Sequence, residues 1–404
     1  MTADASSMSV VFDFTSNSKG IEGRFTSYTQ HAMDYPLDAV TVSGPLVHMI
    51  LGGSIDFEGT HTGDLFSGTF KSPDASGTFS FHRTEKPPLP YSVTDVRFNN
   101  GTVTLAGTVV SPKGAGRHPA VVLIQGSGYE TRWGTNRYIA DRFARAGIVV
   151  LIYDKRGCGE SSGDWKTADY NDLAHDALSG VDLLRSRGDV SPERVGLHGH
   201  SEGGIISAMA TVAEPSKVAF VIAEDTVAGP VWEQDVYRVE KSFEKSLSSS
   251  DLPEAMKAYK TMINVMRGAQ PYSDLESISA ADSQKPWFSS LGIPPRDSWI
   301  WQWYRKVGNL NTLDYWNKVK VPVFIAYGER DQLEPVDEAI GALTDIFRAD
   351  GVPYIPLIVP MAEHNLTIHP QPGQPFFWWY GAPGIVDTVA AWIDFNFVTL
   401  QAAK

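Results

Sequence analysis

A strand-to-helix turn built around one serine constrains this sequence more than any other feature. Ser201 lies in a G-x-S-x-G pattern between the apolar run 195–198 and the small, apolar residues 205–210. A turn this tight strains the serine backbone, and glycines such as Gly199 and Gly203 leave room for it. It also brings the serine hydroxyl and the first amides of the next helix into one space. By itself the pattern also fits a glycine-rich connection with an incidental serine, so the rest of the chain has to decide.

The composition is that of an ordinary globular protein. The chain has 404 residues, of which 42% are hydrophobic and 20% charged, enough for a large core. A net charge of −13 argues against a nucleic-acid partner. No apolar segment approaches the roughly 20 residues that span a bilayer, and the N-terminus lacks the regions of a signal peptide. We expect a soluble protein, cytoplasmic or, if an upstream segment was removed, secreted. The sequence carries no signal for an oligomeric state.

The residue types that commonly bind metals do not occur here at the spacings of known metal sites. The single cysteine, Cys158, excludes an internal disulfide and every metal site built on several cysteines. The histidines before residue 90 are interpreted as surface or structural residues: His31, His48, His61 and His82. The sequence therefore predicts neither a metal site nor an organic cofactor.

The chain changes its pattern near residue 86. Residues 8–83 contain short strand-like runs separated by turn residues and no helical periodicity, which predicts a small N-terminal β domain over residues 1–86. The proline-rich residues 84–90 form a stiff linker. From residue 91 to 404, apolar runs alternate with amphipathic helices, which predicts an α/β fold: a mostly parallel sheet with helices on both faces.

The alternation is interrupted between about residues 225 and 318, which we interpret as a helical cap. Six of the eleven tryptophans lie there, above the strand ends where open α/β sheets bind ligands. Asp297 and Ser298 can start a helix on which Trp299 and Trp303 share one face. We predict that these two tryptophans contact substrate. The alternative is that they only pack the cap onto the core.

Serine needs a base and a group that orients the base. Asp331 follows one late strand and His364 follows the next, which is the order serine, acid, histidine of a catalytic triad. We predict that His364 is the base and that Asp331 orients it. The weaker alternatives are Glu329, Glu334 and Asp337 for the acid and His369 for the base.

An oxyanion hole needs two preorganised donors. The Glu202 amide, directly after the serine, is one. The other is predicted in the turn after the strand 120–124, at the Ser127 amide, with Gly126 as the near alternative. Asp154, Lys155 and Arg156 are expected to brace the loops around the serine.

With these motifs in place, residues 91–404 resemble an α/β-hydrolase. Within that superfamily the chain is similar to bacterial serine esterases, through the motifs at 126–128, 153–161 and 199–204. Those hydrolases often carry a small N-terminal β domain, and residues 8–83 resemble one. The resemblance implies the α/β-hydrolase fold and a hydrolase acting on a small-molecule ester.

The expected function is therefore that of a carboxylesterase-type serine hydrolase working through an acyl-enzyme on Ser201. The runner-up is an amidase or aminopeptidase that uses the same triad. A non-catalytic binding protein on a hydrolase scaffold is a third interpretation, which the intact set of catalytic residue types disfavours.

Overall fold

Antiparallel strands make up the N-terminal region. The computed structural model describes residues 1–3, 6–18, 20–73, 75–370 and 379–399, so parts of both predicted domain ranges lie outside it. The strands up to residue 82 are β1 (Thr2–Ala3), β2 (Ser6–Ser7), β3 (Val11–Asn17), β4 (Gly20–Ser27), β5 (Ala32–Pro36), β6 (Ala39–Ser43), β7 (Leu46–Leu51), β8 (Ile55–Thr62), β9 (Leu65–Lys71) and β10 (Ser76–His82).

These strands form two sheets rather than one. One has the order β2-β1-β10-β9-β8-β7-β6 and the other the order β3-β4-β5. Their shared core is aromatic, with Phe57, Phe70 and Phe79 buried and Phe12 packed against Phe57. Whether residues 1–86 fold as a separate domain stays a prediction, because this region also contacts the rest of the chain, as described below.

The central sheet has the strand order of the predicted fold. Its strands are β11 (Tyr91–Asn100), β12 (Val103–Pro112), β13 (His118–Ile124), β14 (Val149–Tyr153), β15 (Val190–His200), β16 (Val221–Glu224), β17 (Val323–Gly328) and β18 (Tyr354–Val359). They lie in the order β11-β12-β14-β13-β15-β16-β17-β18. The first two pair antiparallel, and from β14 to β18 the pairing is parallel. This sheet confirms the α/β-hydrolase fold class.

Helices cover both faces of this sheet. The α-helices of the described chain are α1 (Thr135–Arg145), α2 (Tyr170–Arg185), α3 (Glu202–Ala213), α4 (Val231–Ser246), α5 (Leu252–Met266), α6 (Tyr272–Asp282), α7 (Ile300–Val307), α8 (Leu313–Trp316), α9 (Val336–Ala349) and α10 (Ile385–Asp394), of which α1, α2, α3, α9 and α10 pack on the sheet. Val121 packs into the core with α1 and α10, whereas Val122 packs into the core with α2, α3 and α9. Neighbouring residues of a strand point to opposite faces, so a strand covered on both faces is apolar throughout.

The insert, residues 225–322, carries α4 to α8 between β16 and β17. It has a core of its own that includes Phe243, Trp287 and Trp301. Helix α7 begins at Ile300. Neither Asp297 nor Ser298 makes a side-chain hydrogen bond to its first turn, so the N-terminal capping expected of these two residues is not observed. Among the described residues, no helix is both long enough and apolar enough to cross a membrane.

Short strands and turns complete the C-terminal part. Strands β19 (Thr367–Ile368) and β20 (Tyr380–Gly381) pair antiparallel. A single helical turn, His364–Leu366, follows β18 by way of a tight loop. Met361 in this loop, and Asn365 and Leu366 in the turn after it, all have positive φ, a conformation that non-glycine residues rarely adopt. The loop is therefore held by its surroundings rather than by local preference.

Candidate active site

Ser201 occupies a strained turn between β15 and α3. Its backbone has φ 53° and ψ −118°, outside the ordinary regions for a residue with a side chain. A Cβ on Gly199 would collide with the backbone of Gly203, so the two chain segments can approach only because Gly199 has none. The Ser201 N–H donates to the Glu224 carbonyl at 2.8 Å, which ties the turn to β16.

The structure brings His364 and Asp331 together. His364 Nδ1 and Asp331 Oδ2 are 2.7 Å apart, and the Asp331 side chain is fully buried. The other oxygen, Oδ1, accepts from the N–H groups of Leu333 and Glu334. The carboxylate is thus fixed on both sides and holds the imidazole by its Nδ1. The alternative base His369 is half exposed, and its Nε2 lies 3.8 Å from Glu363.

His364 packs edge-on against His200, the residue before the serine. The two ring centroids are 5.0 Å apart and the planes meet at 66°. No hydrogen bond joins His364 to Ser201 in the described part of the chain. Hydrogen bonds of this kind are often long in a free enzyme and shorten when substrate binds.

Asp225 and His200 form a second polar pair that the sequence analysis missed. Their Oδ2 and Nε2 atoms are 3.8 Å apart, both buried, and neither has a hydrogen-bond partner among the described residues. Burial, followed by the charge of Asp331, raises the pKa of Asp225, and burial lowers the pKa of His200. Asp225 follows β16 as Asp331 follows β17, so the rule that located Asp331 could have located it too.

One grouping in the described chain has the residue types of a metal site. Ligand atoms of His200, Asp225 and His364 lie within 4.8 Å of one another. His364 is at the same time hydrogen-bonded to Asp331. The group could hold a divalent ion only by engaging the predicted base.

Lys155 joins the two segments that were predicted to form the oxyanion hole. Its Nζ donates to Glu202 Oε1 at 2.6 Å and to the Gly126 carbonyl at 2.7 Å, and both charged side chains are buried. Ser127 Oγ donates to the second oxygen of Glu202 at 3.3 Å. The Ser127 N–H has no acceptor among the described residues, and the Glu202 N–H lies in the first turn of α3, where helix amides lack helical partners.

The two tryptophans predicted to contact substrate lie where the insert meets the core. Trp299 packs edge-on against Trp165 at 5.1 Å, and Trp303 against Tyr170 at 6.1 Å. Trp303 is half-buried and contacts both the insert core and the main core. Their contact with substrate stays a prediction.

A pocket of about 410 Å³ lies beside this cluster. Gly126 and His200 are part of its lining, and a Cβ built on Gly126 would lie 3.7 Å from Ser201 Cβ. Trp299 and Trp303 are not among its lining residues. His31, interpreted from sequence as a surface or structural residue, is half-buried and lines the pocket.

Comparison with known proteins assigns the chain to a family. The profile of the X-Pro dipeptidyl-peptidase (S15 family) matches residues 100–364, more than half of the chain. Esterase EstD of Thermotoga maritima is 34% identical over 154 residues, which cover 36% of this chain and 36% of EstD. The quorum-quenching protein AidA of Acinetobacter baumannii is 28% identical over 137 residues, which cover 34% of this chain and 44% of AidA.

These alignments span less than half of either relative. The Pyrococcus furiosus esterase Pf2001 superposes with a TM-score of 0.48 at 18% identity, over 78% of this chain and 92% of that structure. The family match includes Ser201, Asp331 and His364. The chain belongs to the X-Pro dipeptidyl-peptidase (S15) family, and its central sheet has the α/β-hydrolase fold.

Proposed function

We propose that this protein hydrolyses carboxylic esters through an acyl-enzyme formed on Ser201. The observation that carries the proposal is the 2.7 Å hydrogen bond between His364 Nδ1 and Asp331 Oδ2, next to a serine in a strained strand-to-helix turn. A histidine held by its Nδ1 keeps its Nε2 free to take the serine proton.

In the proposed reaction, His364 removes the proton of Ser201 as the hydroxyl attacks the ester carbonyl. The carbonyl oxygen becomes an oxyanion, which the Ser127 and Glu202 amides stabilise. His364 then gives its proton to the leaving alcohol, and a water molecule, activated in the same way, hydrolyses the acyl-enzyme to the free acid. Asp331 keeps the imidazole oriented and stabilises its charged form throughout.

Hydrolysis of amides is the second candidate, because the S15 family match points to peptide substrates. The same serine, acid and histidine would serve, so the two candidates differ in the group that binds beside the site. An amide also leaves as an amine, which must be protonated as it departs, so His364 would be equally needed.

Two measurements test the proposal. Labelling with a fluorophosphonate probe reports a reactive serine, and Ser201→Ala should abolish the labelling. Turnover of p-nitrophenyl esters beside aminoacyl p-nitroanilides then separates the candidates. We expect kcat/KM to be higher for the esters than for the anilides. The ratio of the two values should exceed the ratio of their rates of alkaline hydrolysis without enzyme, which measures the difference in intrinsic reactivity. Turnover of anilides alone would favour the peptidase candidate, and an unlabelled protein would exclude both.

A further inference from the structure

The pocket beside Ser201 is lined by residues from distant parts of the chain. The ends of β13, β15 and β16 contribute Ile124, His198 and Glu224. The turn after β4 contributes Gln30 and His31 from the N-terminal region. At about 410 Å³ the pocket is in the range of sites for small organic ligands, which is far more than an acetyl group requires.

The N-terminal segment beside the pocket is firmly docked. Met33 and Gly134 exchange two backbone hydrogen bonds of 3.1 and 3.0 Å. The fully buried Arg137 pairs with Asp34 at 3.0 Å, and the Gly381 N–H donates to the Thr29 carbonyl at 3.0 Å. The turn that carries His31 is therefore part of the pocket wall.

The His31 ring packs between Tyr138 and the backbone of Gly381. Its ring stacks on Tyr138 with centroids 4.3 Å apart and planes 9° apart. On Gly381 a Cβ would collide with the same ring, so the close approach of this backbone depends on glycine. Burial lowers the pKa of His31 to about 4, although the charge of Glu224 acts in the opposite direction. At neutral pH the ring is uncharged, with one donor and one acceptor nitrogen.

Across the pocket lining, the side chains of Glu224 and His198 lie next to each other. Glu224 is 7% exposed, and both ring nitrogens of the 3% exposed His198 have no hydrogen-bond partner in the described chain. The His198 Nε2 and Glu224 Oε2 atoms are 3.2 Å apart but do not have hydrogen-bond geometry. Buried polar groups without partners are costly, so the His198 ring favours a ligand that supplies hydrogen bonds, and the Glu224 carboxylate beside it is a further acceptor.

The chemistry of the lining selects among polar groups. No lysine or arginine lies among its described residues, so an anionic ligand has no counter-charge. An ammonium group offers donors only, and it would leave the imidazole N–H unpaired. A hydroxyl group can donate to the Glu224 carboxylate and accept from an imidazole N–H at the same time.

We propose that the N-terminal region completes the acyl pocket of this enzyme, and that the pocket selects acyl groups carrying a hydroxyl at their far end. The pocket is assigned to the acyl group because its lining includes Gln125 and Gly126, which directly precede the predicted oxyanion donor Ser127. The proposal rests on ester hydrolysis at Ser201 as proposed above.

The test uses three p-nitrophenyl esters that differ only at the far end of the acyl group. They are the esters of phenylpropanoic acid, para-hydroxyphenylpropanoic acid and para-aminomethylphenylpropanoic acid. We expect kcat/KM for the hydroxylated ester to exceed that for the unsubstituted ester by about tenfold or more, because a hydrogen bond to a buried charged group is at stake.

Variants locate the effect in the pocket. Glu224→Gln, which removes the charge, and His31→Ala, which opens the N-terminal wall, should each reduce the hydroxyl preference severalfold. The control is His48→Ala, since His48 belongs to the same region but bonds to Asp56 at 3.0 Å outside the pocket. It should keep the wild-type preference. Should a variant fail to fold, the preference of the wild-type enzyme still tests the proposal.

Three outcomes would overturn the proposal while leaving ester hydrolysis intact. They are equal rates on the hydroxylated and unsubstituted esters, a preference for the aminomethyl ester, and a preference unchanged in both pocket variants. If no ester is hydrolysed, a ligand-binding measurement tests the pocket proposal separately from the proposed ester hydrolysis. Calorimetry with the Ser201→Ala protein should then show tighter binding of para-hydroxyphenylpropanamide than of phenylpropanamide, and equal affinities would overturn the pocket assignment itself.

Discussion

Lys155 Nζ lies 2.6 Å from Glu202 Oε1, and the two buried side chains join the loop after β14 to the first residue of α3. The same ammonium group holds the Gly126 carbonyl. Because removing one partner leaves a buried charge unpaired, Lys155→Met should lower the free energy of unfolding by about 3–5 kcal/mol. The loop that carries Ser127 should loosen as well, lowering kcat by up to about a hundredfold.

Denaturant unfolding and ester kinetics measure both effects. The matched control is Arg142→Met, which breaks the partly exposed pair of Arg142 with Asp387. It should cost no more than about 1 kcal/mol, because solvent screens exposed pairs. Similar losses in the two variants would show that the Lys155 pair has no special role.

Ser201→Ala and His364→Ala should each remove nearly all ester turnover without altering the fold. Asp331→Asn should lower kcat by up to about 10⁴-fold, because the imidazole loses the partner that sets its tautomer. Steady-state kinetics with circular dichroism as a folding check measures this. His369→Ala should retain activity, and an inactive His369→Ala beside an active His364→Ala would reverse the assignment of the base.

Activity should survive dialysis against EDTA, because acyl transfer by serine, histidine and aspartate needs no metal. The group of His200, Asp225 and His364 makes the experiment informative, since a bound ion would occupy the base. If EDTA abolished activity and a divalent ion restored it, that group would be the place to look. Asp225→Asn would then raise the ion concentration needed for half-maximal recovery.

Glu334 should make the protein less stable as the pH rises. Neither carboxylate oxygen has a hydrogen-bond partner in the described chain, and burial, with the charges of Asp331 and Asp225, raises its pKa well above 4.5. A carboxyl with a raised pKa contributes its full stability below the unfolded-state pKa and loses it as the pH climbs through the folded-state pKa. Glu334→Gln removes that loss.

The melting temperature of Glu334→Gln minus that of the wild type should therefore be small near pH 4 and grow towards pH 8. Thermal unfolding across this range measures it. Glu338→Gln, at an exposed position of α9, serves as control and should follow the wild-type curve. Parallel curves for Glu334→Gln and the wild type would mean that Glu334 is already ionised in the fold.

Local patterns explain what the sequence could predict. Buried parallel strands are continuous apolar runs, and the predicted strand 120–124 lies within β13, which is buried from Pro119 to Ile124. Asp331 and His364 could be named because each follows a strand whose end lies at the same edge of the sheet. The predicted order of serine, acid and histidine has its counterpart in one bonded His364–Asp331 pair beside Ser201, although the catalytic roles stay predictions.

The pocket could not be predicted, because the residues that line it are far apart in the sequence and meet only through tertiary packing. His31 meets Gly381 and Tyr138 only after three separate segments pack, and no short-range pattern marks that meeting. The division of the N-terminal region into two sheets was missed for a related reason: strand pairing depends on register between strands as well as on their individual patterns.

Trp299→Ala should raise KM for bulky esters more than for acetate esters. Trp299 is half-buried against Trp165 and Trp303, at the edge where the insert meets the core, and the prediction is that its ring contacts a large substrate group. Trp287 gives the control, because it is fully buried in the core of the insert. Trp287→Phe should lower the melting temperature and leave the ratio of the two KM values unchanged. If Trp299→Ala behaved in the same way, with equal effects on both esters and a lower melting temperature, the aromatic cluster would serve only to hold the insert on the core.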